Sequence, residues 1–254
     1  MADCQELLGL PITQANMTSA ESKESLVEVR ELAWTPPGGD APLWQDLSFT
    51  IHAGETLILQ GQSGSGKSTL LRCVVHLEKP DRGEVLWRGE AITPATIRAF
   101  RRRVVYVHQT PVAIADRVGE NLEFSREMAR ELGDEPGFTE EEQRELLGRL
   151  GLDDVDFSRR FDEFSVGEQQ RLAFVRCLSV RPLVLFLDEP TASLDDANAR
   201  RLEEVVSDYL AQDPRRAAVW ITHNSEQQQR LDGRIIDLDE LRHGAITKRA
   251  PSTP

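Results

Sequence analysis

Cysteine is scarce in this chain: Cys4, Cys73 and Cys177 are the only three among 254 residues. They are scattered and lack C-x-x-C spacing, which excludes a disulfide framework and a zinc site and points to a reducing compartment. Positive charge is also in short supply. Thirty Lys and Arg face 43 Asp and Glu, a formal net charge of −13, which argues against nucleic acid as the main partner. Long apolar runs are missing. Even Leu183-Val184-Leu185-Phe186-Leu187 is far shorter than the roughly 20 residues a bilayer span needs. Residues 1–25 have neither the basic start nor the apolar centre of a signal peptide and carry Asp3, Glu6, Glu21 and Glu24, so they read as a mobile tail. Any membrane role must therefore come through a partner. What remains is a chain long enough to bury the core of one larger α/β domain.

Against that background, Gly61-Gln62-Ser63-Gly64-Ser65-Gly66-Lys67-Ser68 stands out as a complete phosphate-binding loop. The apolar run Leu57-Ile58-Leu59 precedes it and helix-compatible Thr69-Leu70-Leu71-Arg72 follows, which is the strand–loop–helix setting the chemistry requires. Glycines let the backbone curl and turn successive N–H groups toward phosphate oxygens. The start of the following helix adds its positive end. Lys67 is placed to reach the β- and γ-phosphates and the Ser68 hydroxyl to bind Mg²⁺, so residues 61–69, closing with Thr69, form the expected nucleotide cradle. A Gly/Ser-rich linker would match by accident in about one chain in a hundred of this length at average composition. The flanking pattern lowers that further, and the chain is expected to bind a nucleoside triphosphate.

Segments at 26–34, 47–52 and 55–60 read as strands, with the Pro36-Pro37-Gly38-Gly39 turn breaking the first two apart and the phosphate loop following the third. A helix to about Leu77, a strand at 84–87, a basic helical piece at 94–102 and a buried strand at 103–108 follow. Residues 116–163 are charged, with helical spacing, and Thr139-Glu140-Glu141-Glu142 opens a helix with a capping box. Strand signals return at 182–188, 217–222 and 234–238, with a helix at 195–212 between the first two. Alternating strands and helices imply a parallel sheet interrupted by a helical insert.

A further constellation narrows the function. The apolar run 183–187 leads straight into Asp188-Glu189, placing two carboxylates at a strand's C-terminal edge, where α/β sheets bind ligands. Asp188 suits Mg²⁺ and Glu189 suits a base for an attacking water. Gln109 ends the strand Val104-Val105-Tyr106-Val107-His108, and His223 ends Ala218-Val219-Trp220-Ile221-Thr222. An amide at 109 could contact Mg²⁺ or the water, and an imidazole at 223 the γ-phosphate. In Ser165-Val166-Gly167-Glu168-Gln169-Gln170-Arg171, Ser165 and Glu168 form a second capping box, which also presents free N–H groups as an anion site.

These motifs, in this order, resemble the nucleotide-binding subunits of ATP-binding-cassette (ABC) transporters. Matching positions are the phosphate loop 61–68, Gln109 as the Q-loop glutamine, 164–171 as the signature motif and the strand ending in Asp188-Glu189. Ser193-Leu194-Asp195-Asp196 match as the D-loop and His223 as the switch histidine. The resemblance covers about residues 26–247. It implies a P-loop NTPase core of the α/β class with an antiparallel β subdomain and a helical subdomain at about 110–180, flanked by tails at 1–25 and 248–254. It further implies ATP and Mg²⁺ as cofactors, the metal held by Ser68, Gln109 and Asp188, and catalysis by Glu189, His223 and Gln109. It also implies a homodimer with two ATP between subunits. Ser165, Gly167 and Glu168 of one subunit would lie at the nucleotide of the other, and a separate membrane permease would dock on the cytoplasmic face against the segment after Gln109. The small stand-alone ATPases it looks similar to have permeases linked to metal export. A soluble ABC ATPase of DNA repair or translation is the rival, disfavoured because only about 55 residues separate Gln109 from Ser165 and the chain carries one cassette.

Two motifs depart from the family pattern. The signature usually reads Leu-Ser-Gly-Gly, and here Phe164 and Val166 replace Leu and the first Gly. A Cβ at 166 restricts a position of close approach and raises a reading in which the chain binds nucleotide but barely hydrolyses it. The adenine-stacking aromatic aligns with Pro36, with Trp34 two residues earlier.

Overall fold

A computed structural model describes residues 23–132 and 136–241. The expected C-terminal tail and residues 1–22 of the expected N-terminal one lie outside them. The first sheet is antiparallel, built by β1 (Ser25–Trp34) between β2 (Trp44–His52) and β4 (Arg82–Trp87), with the short β5 (Glu90–Ala91) at its edge. Leu26, Val27, Val29 and Leu32 of β1 are buried, and a register shift between Val29 and Leu32, with Glu31 at φ 49°, marks a bulge. β2 begins at Trp44, earlier than the apolar pattern suggests, because Trp44 pairs with Trp34 across the sheet.

The second sheet is wholly parallel, ordered β6-β7-β8-β3-β9. Its strands are β3 (Thr56–Gln60), β6 (Val104–Val107), β7 (Val184–Asp188), β8 (Ala217–Ile221) and β9 (Arg234–Asp237). Every residue of β7 and β8 is buried, as expected for strands covered on both faces. Alternation along β7 divides its side chains between two cores. Val184 and Phe186 join the core shared with β1, β2 and α1 (Lys67–Val74), while Leu185 and Leu187 join the core beneath the helical insert. Because the strands are parallel, Gln60, Val107, Asp188 and Ile221 all end at one edge, and the loops that follow are gathered there.

α1 stops at Val74 rather than Leu77 for a backbone reason. His76 takes φ 57°, its N–H bonds Cys73 O, and the N–H of Leu77 reaches back to Arg72 O at 2.8 Å, which is a Schellman closure. After α2 (Ile97–Arg103) and β6, the insert supplies α3 (Val118–Leu132) and α4 (Glu140–Arg149), then α5 (Val166–Leu178). The Thr139 capping box forms as read. A buried amide ties these helices together. Gln143, fully buried, donates to Leu122 O of α3 and Ser179 Oγ after α5, and accepts from Arg126. α5 runs from Val166, its first two turns polar yet capped by Ser165 as the capping box implies. The fold closes with α6 (Asp196–Ala211), α7 (Ser225–Leu231) and α8 (Leu238–Leu241). Among the described residues, no helix is long and apolar enough to cross a membrane.

Candidate functional site

The loop after β3 bends tightly enough that its glycines are dictated by space. Gly66, the residue capping α1, has φ 89°, and a Cβ there would meet Leu43 Cδ2 at 2.5 Å and Trp44 Nε1 at 2.8 Å. Gly64 has open space around the same point, so the loop is pressed against the protein on one side and free on the other. Lys67 is buried, and its ammonium spans the loop to Gly61 O and Gln62 O, both at 2.9 Å. This is a concave run of backbone with a cation fixed inside it, and it fits a polyphosphate.

Ser68 and Asp188 meet directly, Ser68 Oγ donating to Asp188 Oδ1 at 2.9 Å. A hydroxyl and a carboxylate are hard oxygen donors of the kind Mg²⁺ takes, so these two residues fit the ion. The second Asp188 oxygen accepts from the phenol of Tyr106, which burial and that bond hold well above the usual tyrosine range. Tyr106 was not among the expected site residues. It lies three residues before Gln109 on the strand adjacent to β7, and only the strand pairing reveals the contact.

Glu189 departs from the strand in the left-handed region, with φ 48° and its N–H bonded to Ile221 O. Its two carboxylate oxygens are engaged separately. Gln109 Nε2 donates to Oε2 at 3.0 Å, and His223 Nε2 lies 3.1 Å from Oε1. The three residues expected at strand ends therefore meet in one cluster. Gln109 contacts Glu189 here, not the Ser68–Asp188 pair.

The signature segment sits elsewhere on the surface of the insert. Ser165 caps α5, its N–H and hydroxyl both donating to Glu168 Oε2, at 2.8 and 2.7 Å, while its oxygen accepts from the Glu168 N–H. Those bonds, the serine hydroxyl's first, hold the Glu168 carboxyl below its ordinary range. Gly167 has an intramolecular reason to be glycine, since a Cβ would lie 3.0 Å from Ser193 O. Val166 is 57% exposed. Among the described residues, the hydrogen bonds of Ser165 and Glu168 run to each other and not to the phosphate loop. Trp34 stacks on Trp44, with centroids 6.3 Å apart at 28°, and so packs against the indole under Gly66.

Asp239 is another residue the sequence reading missed. From α8 its carboxylate accepts the Gln62 N–H at 2.8 Å, bracing the loop from a segment 177 residues away.

The family model described as ABC transporter matches residues 44–192. This chain belongs to the ABC transporter family. It is 34% identical over 200 residues to the probable iron export ATP-binding protein FetA of Escherichia coli K12, covering 79% of this chain and 86% of that one. It is also 34% identical over 204 residues to the nickel import ATP-binding protein NikE of E. coli O157:H7, covering 76% and 74%. The solved structure of an ATP-binding subunit of an ABC transporter superposes with a TM-score of 0.71 at 24% identity, over 84% of this chain and 85% of that one, which supports the fold. The chain is thus an ATP-binding, ATP-hydrolysing subunit of an ABC transporter, a class that works with transmembrane permeases.

The Tyr106 contact has a measurable consequence. Tyr106→Phe removes only the hydroxyl and leaves one oxygen of buried Asp188 without a protein partner. Loss of a hydrogen bond to a charged group costs about 1.5–3 kcal/mol, so denaturant unfolding of the variant is expected to shift by that amount.

Proposed function

We propose that Glu189 is the general base of ATP hydrolysis in this subunit, with His223 and Gln109 controlling it and the loop 61–69 holding the triphosphate. The carrying observation is that the two oxygens of Glu189 contact Gln109 and His223 separately, at the same sheet edge as the phosphate loop. Lys67 and the loop N–H groups would stabilise charge on the β- and γ-phosphates as the bond to the γ-phosphorus breaks. Ser68 and Asp188 would hold Mg²⁺, with Gln109 joining them once released from Glu189; the ion supplies neutralisation of phosphate charge. Glu189 would take a proton from the attacking water, and His223 would hydrogen-bond the γ-phosphate.

The site is incomplete in one chain. Ser165, Gly167 and Glu168 form a helix N-terminus at the surface, and a head-to-tail pair of subunits would bring each to the partner's nucleotide. Ser165 would first have to release Glu168, since its hydroxyl is already donated. Val166, exposed at that surface, would meet the partner.

The permease would dock at the cytoplasmic face of the membrane, against the start of the insert. Val112, Ile114 and Phe124 are 49%, 45% and 50% exposed. The loop carrying the first two is fastened to α3 through Asn121, whose Oδ1 accepts the Ile114 N–H at 2.9 Å. Exposed apolar side chains of this kind suit an apolar segment of a partner. The similarity to FetA supports a permease for metal export, while the similarity to NikE, named for nickel import, supports the opposite direction.

Two experiments test these assignments. Glu189→Gln is expected to lower turnover by about 10²–10⁴-fold, the usual worth of a general base, while ATP binding persists; Lys67→Ala is expected to weaken ATP binding about 10–100-fold, the loss of charge-assisted hydrogen bonds. Equilibrium nucleotide binding and steady-state hydrolysis on both variants separate the two roles, and near-normal turnover by Glu189→Gln removes the base assignment. Val112→Glu or Ile114→Glu places a charge in the docking surface, so co-purification with the permease is expected to fall while ATP affinity stays within about twofold. Undiminished co-purification would reject the docking assignment.

A further inference from the structure

His223 is the tip of a short loop between β8 and α7, and both of its neighbours are fastened by one residue. Gln227, on α7, is 1% exposed. Its amide oxygen accepts the hydroxyl of Thr222, the residue before His223. Its backbone N–H donates to Oδ1 of Asn224, the residue after, at 3.0 Å. Thr222 and Asn224 are themselves joined, Asn224 N–H to Thr222 Oγ1 at 3.1 Å.

The same amide reaches the other half of the cluster. Gln227 Nε2 lies 3.1 Å from the hydroxyl of Thr191, two residues beyond Glu189, and Thr191 Oγ1 is 3.3 Å from Gln227 Oε1. A third contact fixes the amide's orientation, Nε2 donating to Glu203 Oε1 of α6 at 2.9 Å. Glu203 in turn is gripped by both nitrogens of the Arg230 fork at 2.8 Å. Gln227, Thr191, Thr222, Glu189 and His223 line a single cavity of about 300 Å³. The buried amide is thus satisfied on both atoms, which makes it a rigid crosslink rather than a surface residue.

We infer that Gln227 is a positioning residue for hydrolysis, fixing the loop that carries His223 relative to the segment that carries Glu189. The inference rests on the proposed roles of those two residues. Its neighbour extends the frame: Gln228 Nε2 donates to Thr222 O at 2.9 Å, and its oxygen accepts from Gln60, the last residue before the phosphate loop, at 2.7 Å. Two consecutive glutamines on one short helix therefore connect the ends of β3 and β8 and the segment after β7.

Displacing a catalytic group by about 1 Å can cost up to roughly 10²-fold in rate without altering substrate binding. Gln227→Leu keeps the volume and removes the amide. In the purified full chain, kcat is expected to fall about tenfold or more, with the KM and equilibrium affinity for ATP within about twofold. Gln227→Glu combined with Glu203→Gln exchanges donor and acceptor across the 2.9 Å contact and keeps an acceptor oxygen for the Thr222 and Thr191 hydroxyls, so this double variant is expected to recover kcat to within about threefold of the natural chain. Thr191→Val removes only the far hydroxyl and is expected to slow turnover with KM unchanged, and it decides the matter if Gln227→Leu fails to fold. A natural kcat in Gln227→Leu or Thr191→Val, a change in KM alone, or a double variant as slow as the Leu variant overturns the inference. Glu189→Gln measured alongside separates the two levels: if it is inactive while Gln227→Leu turns over normally, only the positioning role fails, and if it is active, the base assignment itself fails.

Discussion

Most of the site depends on how β7 ends. Five buried residues carry the chain through the middle of the parallel sheet, and their burial on both faces leaves the strand no freedom to slide. A one-residue slip would exchange the two faces, moving Phe186 into the core of Leu185 and Leu187. Asp188 is therefore delivered at a fixed height beside Ser68, and the next residue must leave the strand at once. It does so with φ 48°, a conformation that costs a non-glycine residue about 1–2 kcal/mol. The N–H of Glu189 bonded to Ile221 O helps to hold it. The result is two adjacent carboxylates in separate environments, one bonded to Ser68 and Tyr106, the other to Gln109 and His223.

That separation explains why residues distant in the chain converge. Parallel neighbours of β7 necessarily end at the same edge, so Gln109 after β6 and His223 after β8 flank Glu189 by topology alone. The insert is joined to this edge by a polar contact as well as by packing. Gln170 of α5, 1% exposed, donates to His108 O at 3.1 Å, immediately before Gln109. The capped helix of the signature segment and the strand bearing Gln109 are consequently held by one bond, and relative movement of the two must strain or break it.

Much of this was legible in the sequence, for physical reasons that differ from motif to motif. The phosphate loop is local: its glycines and lysine act within eight consecutive residues, so spacing alone carries the geometry. Continuous apolar runs at 183–187 and 217–221 announced strands buried on both faces, and their final residues marked the site edge. The capping boxes at Thr139 and Ser165 were readable because both partners lie within one turn. What was not legible depends on contacts across the sheet. Tyr106 looks like one more apolar strand residue until β6 is paired with β7. Asp239 looks like a surface acid until β9 brings α8 beside Gln62. Gln227 sits in a polar run, 224–230, whose composition suggests a solvated helix, and its burial follows only from the packing of α7 over α6 and β8.

Binding ATP at such a site is an exchange of bonds more than an addition of them. Lys67 already holds two carbonyls, Ser68 holds Asp188, Glu189 is shared by Gln109 and His223, and Ser165 holds Glu168. Each is a group the proposed mechanism turns toward phosphate, metal or water. The Lys67 ammonium bonds a charged phosphate more strongly than the neutral carbonyls it now holds, so the exchange at Lys67 and the loop is favourable without any change of fold. The exchanges at Gln109 and Ser165 differ, because each first gives up a bond to a carboxylate. They become favourable only when an ion or a second subunit's nucleotide offers an equal charge. On the proposed roles the loop would fill first, and Gln109 and Ser165 would move only in response to what it then presents, which would place ATP binding ahead of subunit pairing and pairing ahead of hydrolysis.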